Sequence, residues 1–258
     1  MTDPAFAPIL PAATILVLRD APQFEVLMVQ RHHQIEFASG ALVFPGGKTH
    51  EGDHDPAWEG ACLGWDEVEP EQRALRIAAM REVFEEAGLL LGATRPLDPS
   101  ACELSVRQAV DRGELAFLKV VQDLGEKVDL TALTAFARWI TPPLTPKRYD
   151  TWFYVARAPA DQLALCDGRE TVDAVWIPPA EAVRMALSGE RKVVFPTRMN
   201  LQLLAEASDS EDAISRAKAR RLVTVQPQVQ ERAEGRVLVL PTDAGYGEVA
   251  EPLSRVMG

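Results

Sequence analysis

One segment, RALRIAAMREVFEEAG at residues 73–88, constrains the fold of this chain more than any other. It contains good helix formers throughout, and it ends at Gly88, a residue type that commonly follows a helix. Shorter runs rich in Val, Ile and Leu predict strands at residues 12–20, 24–31, 40–44, 137–142, 149–158 and 171–178. A long helix among so many strands predicts an α/β fold.

Further helices are predicted downstream. Residues 99–134 contain ACELSVRQAVDRG and ELAFLKVVQDLG, which each end at a glycine, and DLTALTAFA follows them. Helical patterns recur at residues 178–189, 196–207 and 210–223, and a late strand is predicted at residues 235–241. Residues 54–72, which precede the long helix, are polar and acidic, and we interpret them as an inserted loop.

The composition narrows the classes of function. The net charge of −11 over 258 residues argues against a nucleic-acid-binding protein, which normally has a basic face. The three cysteines are odd in number and far apart, so we expect neither a disulfide framework nor a zinc site. The first residues resemble no signal peptide, and no apolar stretch reaches the length of a membrane span. We therefore expect a cytoplasmic protein without nucleic-acid or membrane partners.

Three glutamates share one turn near the end of the long helix. With about 100° of rotation per residue, Glu86 lies at about +40° and Glu85 at about −60° from Glu82. Apolar side chains occupy the opposite face, at Ile77, Met80, Phe84 and Ala87. Two interpretations stand at this point. Charged residues opposite an apolar stripe are typical of a solvated surface helix, whereas clustered carboxylates suit Mg²⁺ or Mn²⁺.

A second motif, FPGG at residues 44–47, follows the third predicted strand. Together with REVFEEAGL at residues 81–89, it resembles the box motif of the Nudix hydrolases. The later segment matches every position of the second half of that box, R-E-apolar-x-E-E-x-G-apolar, and Gly47 begins the first half. Two departures are evident. Asp53 stands where the family usually has a glutamate, and its spacing to Arg81 exceeds the usual one by 20 residues.

The interrupted box resembles one branch in particular, the peroxisomal-type acyl-coenzyme A diphosphatases. RIAAMREVFEEAGLLL, RWITPP and RYDTWFYVA also resemble that branch, over about residues 12–204. The resemblance implies an α/β/α sandwich with a mixed sheet and a single domain over residues 1–258. That domain would carry a box insertion at residues 54–72, a helical insertion at 99–134 and a C-terminal extension at 205–258.

The resemblance also implies roles for the residues of the two motifs. Glu82, Glu85 and Glu86 would hold Mg²⁺ or Mn²⁺, assisted by the Gly46 carbonyl. Arg81 would orient these carboxylates through its fork of donors, and Glu85 and Arg81 would take part in catalysis. Supporting positions would be Gly47 and Asp53, of which Asp53 would brace the loop.

Candidates outside the box remain open between two interpretations. Glu170 lies six residues before Trp176, at an offset where the family takes a further carboxylate as metal ligand or base. It equally fits an exposed loop acid. Arg31, Lys147 and Arg148 are candidate contacts to a substrate phosphate, and each also fits an ordinary solvated cation.

The implied chemistry is metal-assisted hydrolysis of a phosphoanhydride. The first expectation is cleavage of coenzyme A or acyl-coenzyme A to adenosine 3′,5′-bisphosphate and (acyl-)4′-phosphopantetheine. The alternatives are a pyrophosphatase for ADP-ribose, dinucleotides or another nucleoside diphosphate derivative, and a nucleotide-binding regulator that does not cleave. The helical insertion would cover an acyl or pantetheine arm, pad the fold or contribute a homodimer contact.

Overall fold

The computed structural model describes residues 7–32, 40–97, 102–160, 162–169, 171–233 and 235–257. Among these residues the strands are β1 Ile9–Arg19, β2 Glu25–Arg31, β3 Leu42–Val43, β4 Gly46–Lys48, β5 Cys62–Leu63, β6 Val128–Asp129, β7 Thr134–Ile140, β8 Arg148–Arg157, β9 Thr171–Ile177, β10 Thr224–Val225, β11 Gln228–Arg232, β12 Gly235–Val239 and β13 Ala250–Pro252. The helices are α1 Trp58–Ala61, α2 Pro70–Ala87, α3 Leu104–Asp111, α4 Phe117–Asp123, α5 Pro179–Ser188, α6 Phe195–Leu204, α7 Ser210–Ala219 and α8 Leu253–Met257.

A mixed sheet forms the centre of the fold. Its order is β10-β7-β8-β1-β2-β3, with β4 also paired to β1 and β9 to β2. The long β1–β8 pair is parallel, from Ile9 opposite Arg148 to Leu18 opposite Arg157, while β1–β2 and β7–β8 are antiparallel. Two short sheets, β11-β12-β13 and β5-β6, accompany it among the described residues.

Alternate residues of β1 enter two separate hydrophobic cores. Ala13, Ile15 and Val17 pack with α2 and α4 on one face of the sheet. Leu16 and Leu18 pack with α6 and α7 on the other. Because both faces are covered by helices, the predicted α/β/α architecture is confirmed.

The long helix agrees with its prediction at one end and extends beyond it at the other. α2 begins at Pro70, where a proline in the first helical position loses no hydrogen bond, although the helix was predicted from residue 73. It ends before Gly88, which has φ 71° and donates its amide to the Phe84 carbonyl. This left-handed conformation is readily adopted by glycine, and it explains why the helix stops there.

The loop interpretation of residues 54–72 is wrong for its central part. Trp58 in α1 is 1% exposed and packs on Phe117 of α4, with 5.6 Å between ring centroids. Its Nε1 donates to the Gly52 carbonyl over 2.9 Å. The inserted stretch therefore contributes to the hydrophobic core that α2 and α4 share, although it is also rich in acidic residues.

The predicted helical block is helical in two of its three segments. α3 and α4 form, but DLTALTAFA becomes β6, a 3-10 turn at Leu130–Ala132 and the start of β7. Thr134 pairs with Val155 of β8, and Phe136 is buried in the core. The helical prediction for this segment is wrong because pairing with β8 outweighs local helix propensity. Residues 99–101 of the block lie outside the described part.

The C-terminal extension packs against the second core. Leu238 and Leu240 are buried there, and the Tyr246 hydroxyl accepts a bond of 3.1 Å from Trp139 Nε1. The same hydroxyl donates to Asn200 Oδ1 over 2.7 Å. The predicted late strand corresponds to β12. In the described ranges, none of the helices combines the length and the apolar run required to cross a membrane.

Candidate active site

The three glutamates of α2 do not form a solvated face. The Glu82 and Glu85 side chains are 13% and 10% exposed, and Glu86 is 3% exposed. Both sides of the helix are covered, since Ile77, Met80 and Phe84 are also fully buried. The surface-helix interpretation is therefore wrong for this turn, and the buried charges need compensation.

Arg81 is the cation at the centre of this cluster. Its Nη1 donates to Glu82 Oε1 over 2.9 Å and to Glu85 Oε2 over 3.0 Å. Its Nε and Nη2 donate to both oxygens of Asp53, at 2.9 and 3.1 Å, and Nη2 also donates to the Lys48 carbonyl. Burial lowers the pKa of Arg81, but the carboxylates of Glu82, Asp53 and Glu85 outweigh it and raise that pKa above its usual range. Arg81 is thus charged and fixed in orientation.

Asp53 joins the inserted loop to the helix. It is 2% exposed, and its Oδ2 accepts the His50 amide over 2.9 Å in addition to the two donors of Arg81. The insertion between Asp53 and Arg81 therefore does not separate the two motif halves in space. These contacts fit the bracing role expected for Asp53.

The two glycines of β4 allow the strand to approach the carboxylates. The Gly46 amide donates to Glu86 Oε2 over 3.1 Å. A Cβ atom added to Gly47 would lie 2.3 Å from Glu82 Oε1, so the carboxylate occupies the space that a side chain would fill. The backbone of β4 and one turn of α2 thus enclose a small acidic site.

The charge balance of this site favours a cation. Burial raises the pKa of Glu85 to about 8; Arg81 opposes that rise and Glu82 adds to it. Carboxylate oxygens are the donors that Mg²⁺ and Mn²⁺ prefer. Across the described segments, no three acidic, histidine or cysteine side chains converge as a ligand set. Arg81 binds Glu82 and Glu85, and the Gly46 amide binds Glu86. The residues fit a divalent ion by donor chemistry and by the close approach of β4 to the carboxylates that Gly46 and Gly47 permit.

A cavity of about 290 Å³ adjoins this site at Gly46. Its wall is mainly apolar and aromatic and includes Trp139, Tyr149, Phe153, Phe195 and Leu238. The last of these comes from the C-terminal extension. A cavity beside a cluster of candidate metal ligands is where a substrate would bind.

Of the three basic residues predicted to contact substrate, two line the cavity and one is buried outside it. Arg31 and Lys147 line the cavity. Arg148 does not line it; it is 7% exposed, and its Nε donates to the Thr141 carbonyl. Its position in β8 thus gives Arg148 a structural contact, and its contact to substrate stays a prediction. The Arg31 Nε is buried and has no hydrogen-bond partner among the described residues.

Glu170 lies outside the described residues, but the residues around it are close to α2. The Thr171 hydroxyl lies 3.3 Å from the Glu86 carbonyl oxygen. Asp167 Oδ1 accepts both the Thr171 hydroxyl over 2.7 Å and the Thr171 amide over 2.8 Å. Sequence reasoning missed a further participant at this end of the helix. Arg107 of α3 donates to the carbonyls of Phe84 and Glu85, and nothing in the sequence distinguishes it from a surface arginine.

Comparison with known proteins decides the family. A family model described as the NUDT19 Nudix domain matches residues 60–202, more than half of the 258-residue chain. The chain belongs to the Nudix hydrolase family. Nudix hydrolases generally require divalent metal ions, in agreement with the donor set of the Nudix helix α2.

Curated relatives and a solved structure resemble the chain over most of its length. The acyl-coenzyme A diphosphatase NUDT19 of Homo sapiens is 28% identical over 285 residues, which cover 92% of this chain and 76% of the relative. The protein of the same name from Gallus gallus is 28% identical over 303 residues, covering 92% and 79%. The crystal structure of a Nudix hydrolase from Alicyclobacillus acidocaldarius superposes with a TM-score of 0.71 at 28% identity, covering 81% of this chain and 97% of that one.

Gly47→Ala is expected to weaken metal binding without unfolding the protein. The added Cβ would lie 2.3 Å from Glu82 Oε1, and the flexible end of Glu82 would move away. Disturbing the surroundings of a metal ligand typically costs about 10–100-fold in affinity, which a Mn²⁺ titration would measure. Gly60→Ala is the matched control, because no atom lies within 4 Å of its added Cβ. Equal Mn²⁺ affinity in the two variants would contradict the placement of Glu82.

Proposed function

We propose that the chain is a Mg²⁺- or Mn²⁺-dependent diphosphatase that cleaves coenzyme A and acyl-coenzyme A. The products would be adenosine 3′,5′-bisphosphate and 4′-phosphopantetheine or its acyl form. The observation that carries the proposal is the buried carboxylate turn of α2 beside an apolar cavity that Arg31 lines. The names of the human and chicken relatives support the choice of substrate.

Each residue of the site has a separate role in the proposed reaction. When bound, a divalent ion would neutralise the diphosphate and lower the pKa of the attacking water. Glu82, Glu85 and Glu86, with the Gly46 carbonyl, are the groups that would hold it. Glu85 is the candidate base that accepts the proton of the water, with Glu170 as the second candidate. Arg81 keeps the Glu82 and Glu85 carboxylates oriented through the contacts described above.

The cavity would receive the parts of the substrate that do not react. Its aromatic wall suits an adenine ring or an acyl chain. Arg31 and Lys147 supply positive charge for a phosphate, of which coenzyme A has one more than ADP-ribose at its 3′ position. The buried Arg31 Nε has no hydrogen-bond partner among the residues that the structure describes, and an unsatisfied buried donor costs free energy, so a phosphate oxygen that bound this guanidinium would stabilise the complex.

Arg31→Met should weaken the use of coenzyme A selectively. Loss of a hydrogen bond to a charged group costs about 1.5–3 kcal/mol, or roughly 10–100-fold in kcat/KM. We expect this loss with coenzyme A and a smaller one with 3′-dephospho-coenzyme A, which lacks the phosphate. Arg221→Met, at an exposed arginine after α7, is the control. An equal loss on both substrates would remove Arg31 from recognition of the 3′-phosphate.

The products formed from coenzyme A test the proposal itself. Purified protein is incubated with Mn²⁺ and coenzyme A, acetyl-coenzyme A, 3′-dephospho-coenzyme A or ADP-ribose, and products are identified by mass spectrometry. Adenosine 3′,5′-bisphosphate with 4′-phosphopantetheine is the expected pair. Faster cleavage of ADP-ribose or a dinucleotide would assign the enzyme to another nucleoside diphosphate substrate. Nucleotide binding without cleavage would identify a regulator.

A further inference from the structure

The C-terminal end of α2 is held from outside the helix. The last carbonyl groups of a helix have no partner within it, and basic side chains of the last turn often supply one. α2 has no basic residue in its last turn. Three of its last four carbonyls accept hydrogen bonds from outside the helix, those of Phe84 and Glu85 from Arg107 and that of Ala87 from the Leu165 amide. The Thr171 hydroxyl, which donates to Asp167, lies 3.3 Å from the Glu86 carbonyl oxygen.

Arg107 is the side chain that makes most of these contacts. It is 2% exposed, and its Nε donates to the Phe84 carbonyl over 3.0 Å. Its Nη2 donates to the Glu85 carbonyl over 2.9 Å and to the Leu165 carbonyl over 2.8 Å. One rigid guanidinium therefore joins the residue that carries the Glu85 carboxylate to the segment after β8.

The same segment is fixed to α3 a second time. Arg169 Nη1 forms an ion pair of 2.6 Å with Asp111, the last residue of α3. Asp167 Oδ1 accepts the amides of Arg169 and Thr171 at 3.2 and 2.8 Å, so the backbone on both sides of residue 170 is held. α3 thus contacts the two parts of the chain that carry the proposed carboxylates.

From these contacts we infer that Arg107 is a positioning residue for the divalent ion. It fixes the last turn of α2, and with it Glu85 and Glu86, relative to residues 165–169 and Thr171. This assigns a purpose to α3 of the predicted helical insertion, and it rests on the proposed function because the ion belongs to that site. Groups that orient metal ligands typically contribute about 10–100-fold to metal affinity.

Arg107→Met tests the inference by a measurement that needs no substrate. Free Mn²⁺ is followed by its electron paramagnetic resonance signal during titration of the full-length protein. We expect Mn²⁺ binding about 10–100-fold weaker than in the unaltered protein. In turnover, we expect a lower kcat and an unchanged KM for coenzyme A at saturating Mn²⁺. Arg112→Met, at an exposed arginine that follows the same helix, should change neither quantity.

The outcomes separate this inference from the proposed function. Equal Mn²⁺ affinity in Arg107→Met and the unaltered protein would overturn the positioning role and leave the proposed function standing. Absence of Mn²⁺ binding by the unaltered protein would overturn both. If Arg107→Met fails to fold, Arg107→Lys keeps the charge but lacks the fork, and the same weaker Mn²⁺ binding is expected from it. Unchanged binding by a folded Arg107→Lys would then overturn the inference.

Discussion

Glu85→Gln is expected to reduce metal-dependent turnover about 10²–10⁴-fold, the range that a positioned acid or base contributes. The substitution keeps the volume of the side chain and removes its charge. Glu85 lies in the acidic turn that Arg81 orients, and it is the candidate base as well as a candidate metal ligand. The measurement is the rate of adenosine 3′,5′-bisphosphate formation from coenzyme A at saturating Mn²⁺.

The matched control lies on the same helix. Glu71→Gln removes an equal charge from the exposed first turn of α2, and it should leave turnover unchanged. Turnover by Glu85→Gln equal to that of Glu71→Gln would exclude Glu85 from the reaction.

The thermal stability of Glu85→Gln is the second measurement, and we expect it to increase where turnover decreases. The pKa of Glu85 is raised to about 8 from 4.5, so the folded state binds the proton more tightly than the unfolded state. The contribution of Glu85 to the unfolding free energy of the metal-free protein is therefore fully present below about pH 4.5 and is lost as the pH rises through 8. Glu85→Gln has no carboxyl group at this position, so it does not lose this unfolding free energy as the pH rises. In the presence of a chelator, we expect its melting temperature to match that of the unaltered protein at low pH and exceed it at pH 8.

Arg81→Met is expected to lower the unfolding free energy by about 3–5 kcal/mol, the usual cost of removing one partner of a buried ion pair. Asp53, with a side chain 1% exposed, would lose both donors of the guanidinium. Glu82 and Glu85 would lose the cation that offsets their mutual repulsion. Urea unfolding measures the change. Arg184→Met, which removes an exposed ion pair with Glu181, is the control and should unfold like the unaltered protein.

A second substitution separates the lost ion pair from lost packing. Asp53→Asn in the Arg81→Met background removes the charge that has become unpaired, so it should recover part of the stability. The same change alone should destabilise, because it removes one of the carboxylates that Arg81 binds. Additive effects of the two substitutions would show that Asp53 and Arg81 do not depend on each other.

The sequence was most informative where local chemistry decides the structure. α2 and its end at Gly88 follow from helix propensity and glycine conformation, and the half-box at residues 81–89 identified the family. The burial of Trp58 in an acidic stretch and of Arg148 in β8 could not be predicted, because each depends on contacts with distant residues. Arg107 was missed for the same reason. The catalytic and metal-binding roles of Glu82, Glu85, Glu86 and Glu170 stay predictions until the experiments above are made.

The contact between Asp53 and Arg81 has a consequence for how this motif can diversify. Because the two side chains form a direct ion pair, residues 54–80 form a segment whose two ends are held close together. Lengthening the irregular part of this segment costs closure free energy only as the logarithm of its length, so insertions outside α1 and α2 cost little. Chains with quite different spacing can therefore assemble the same acidic pocket. A search that demands fixed spacing along the chain would pass over them, whereas a search for the spatial arrangement would find them.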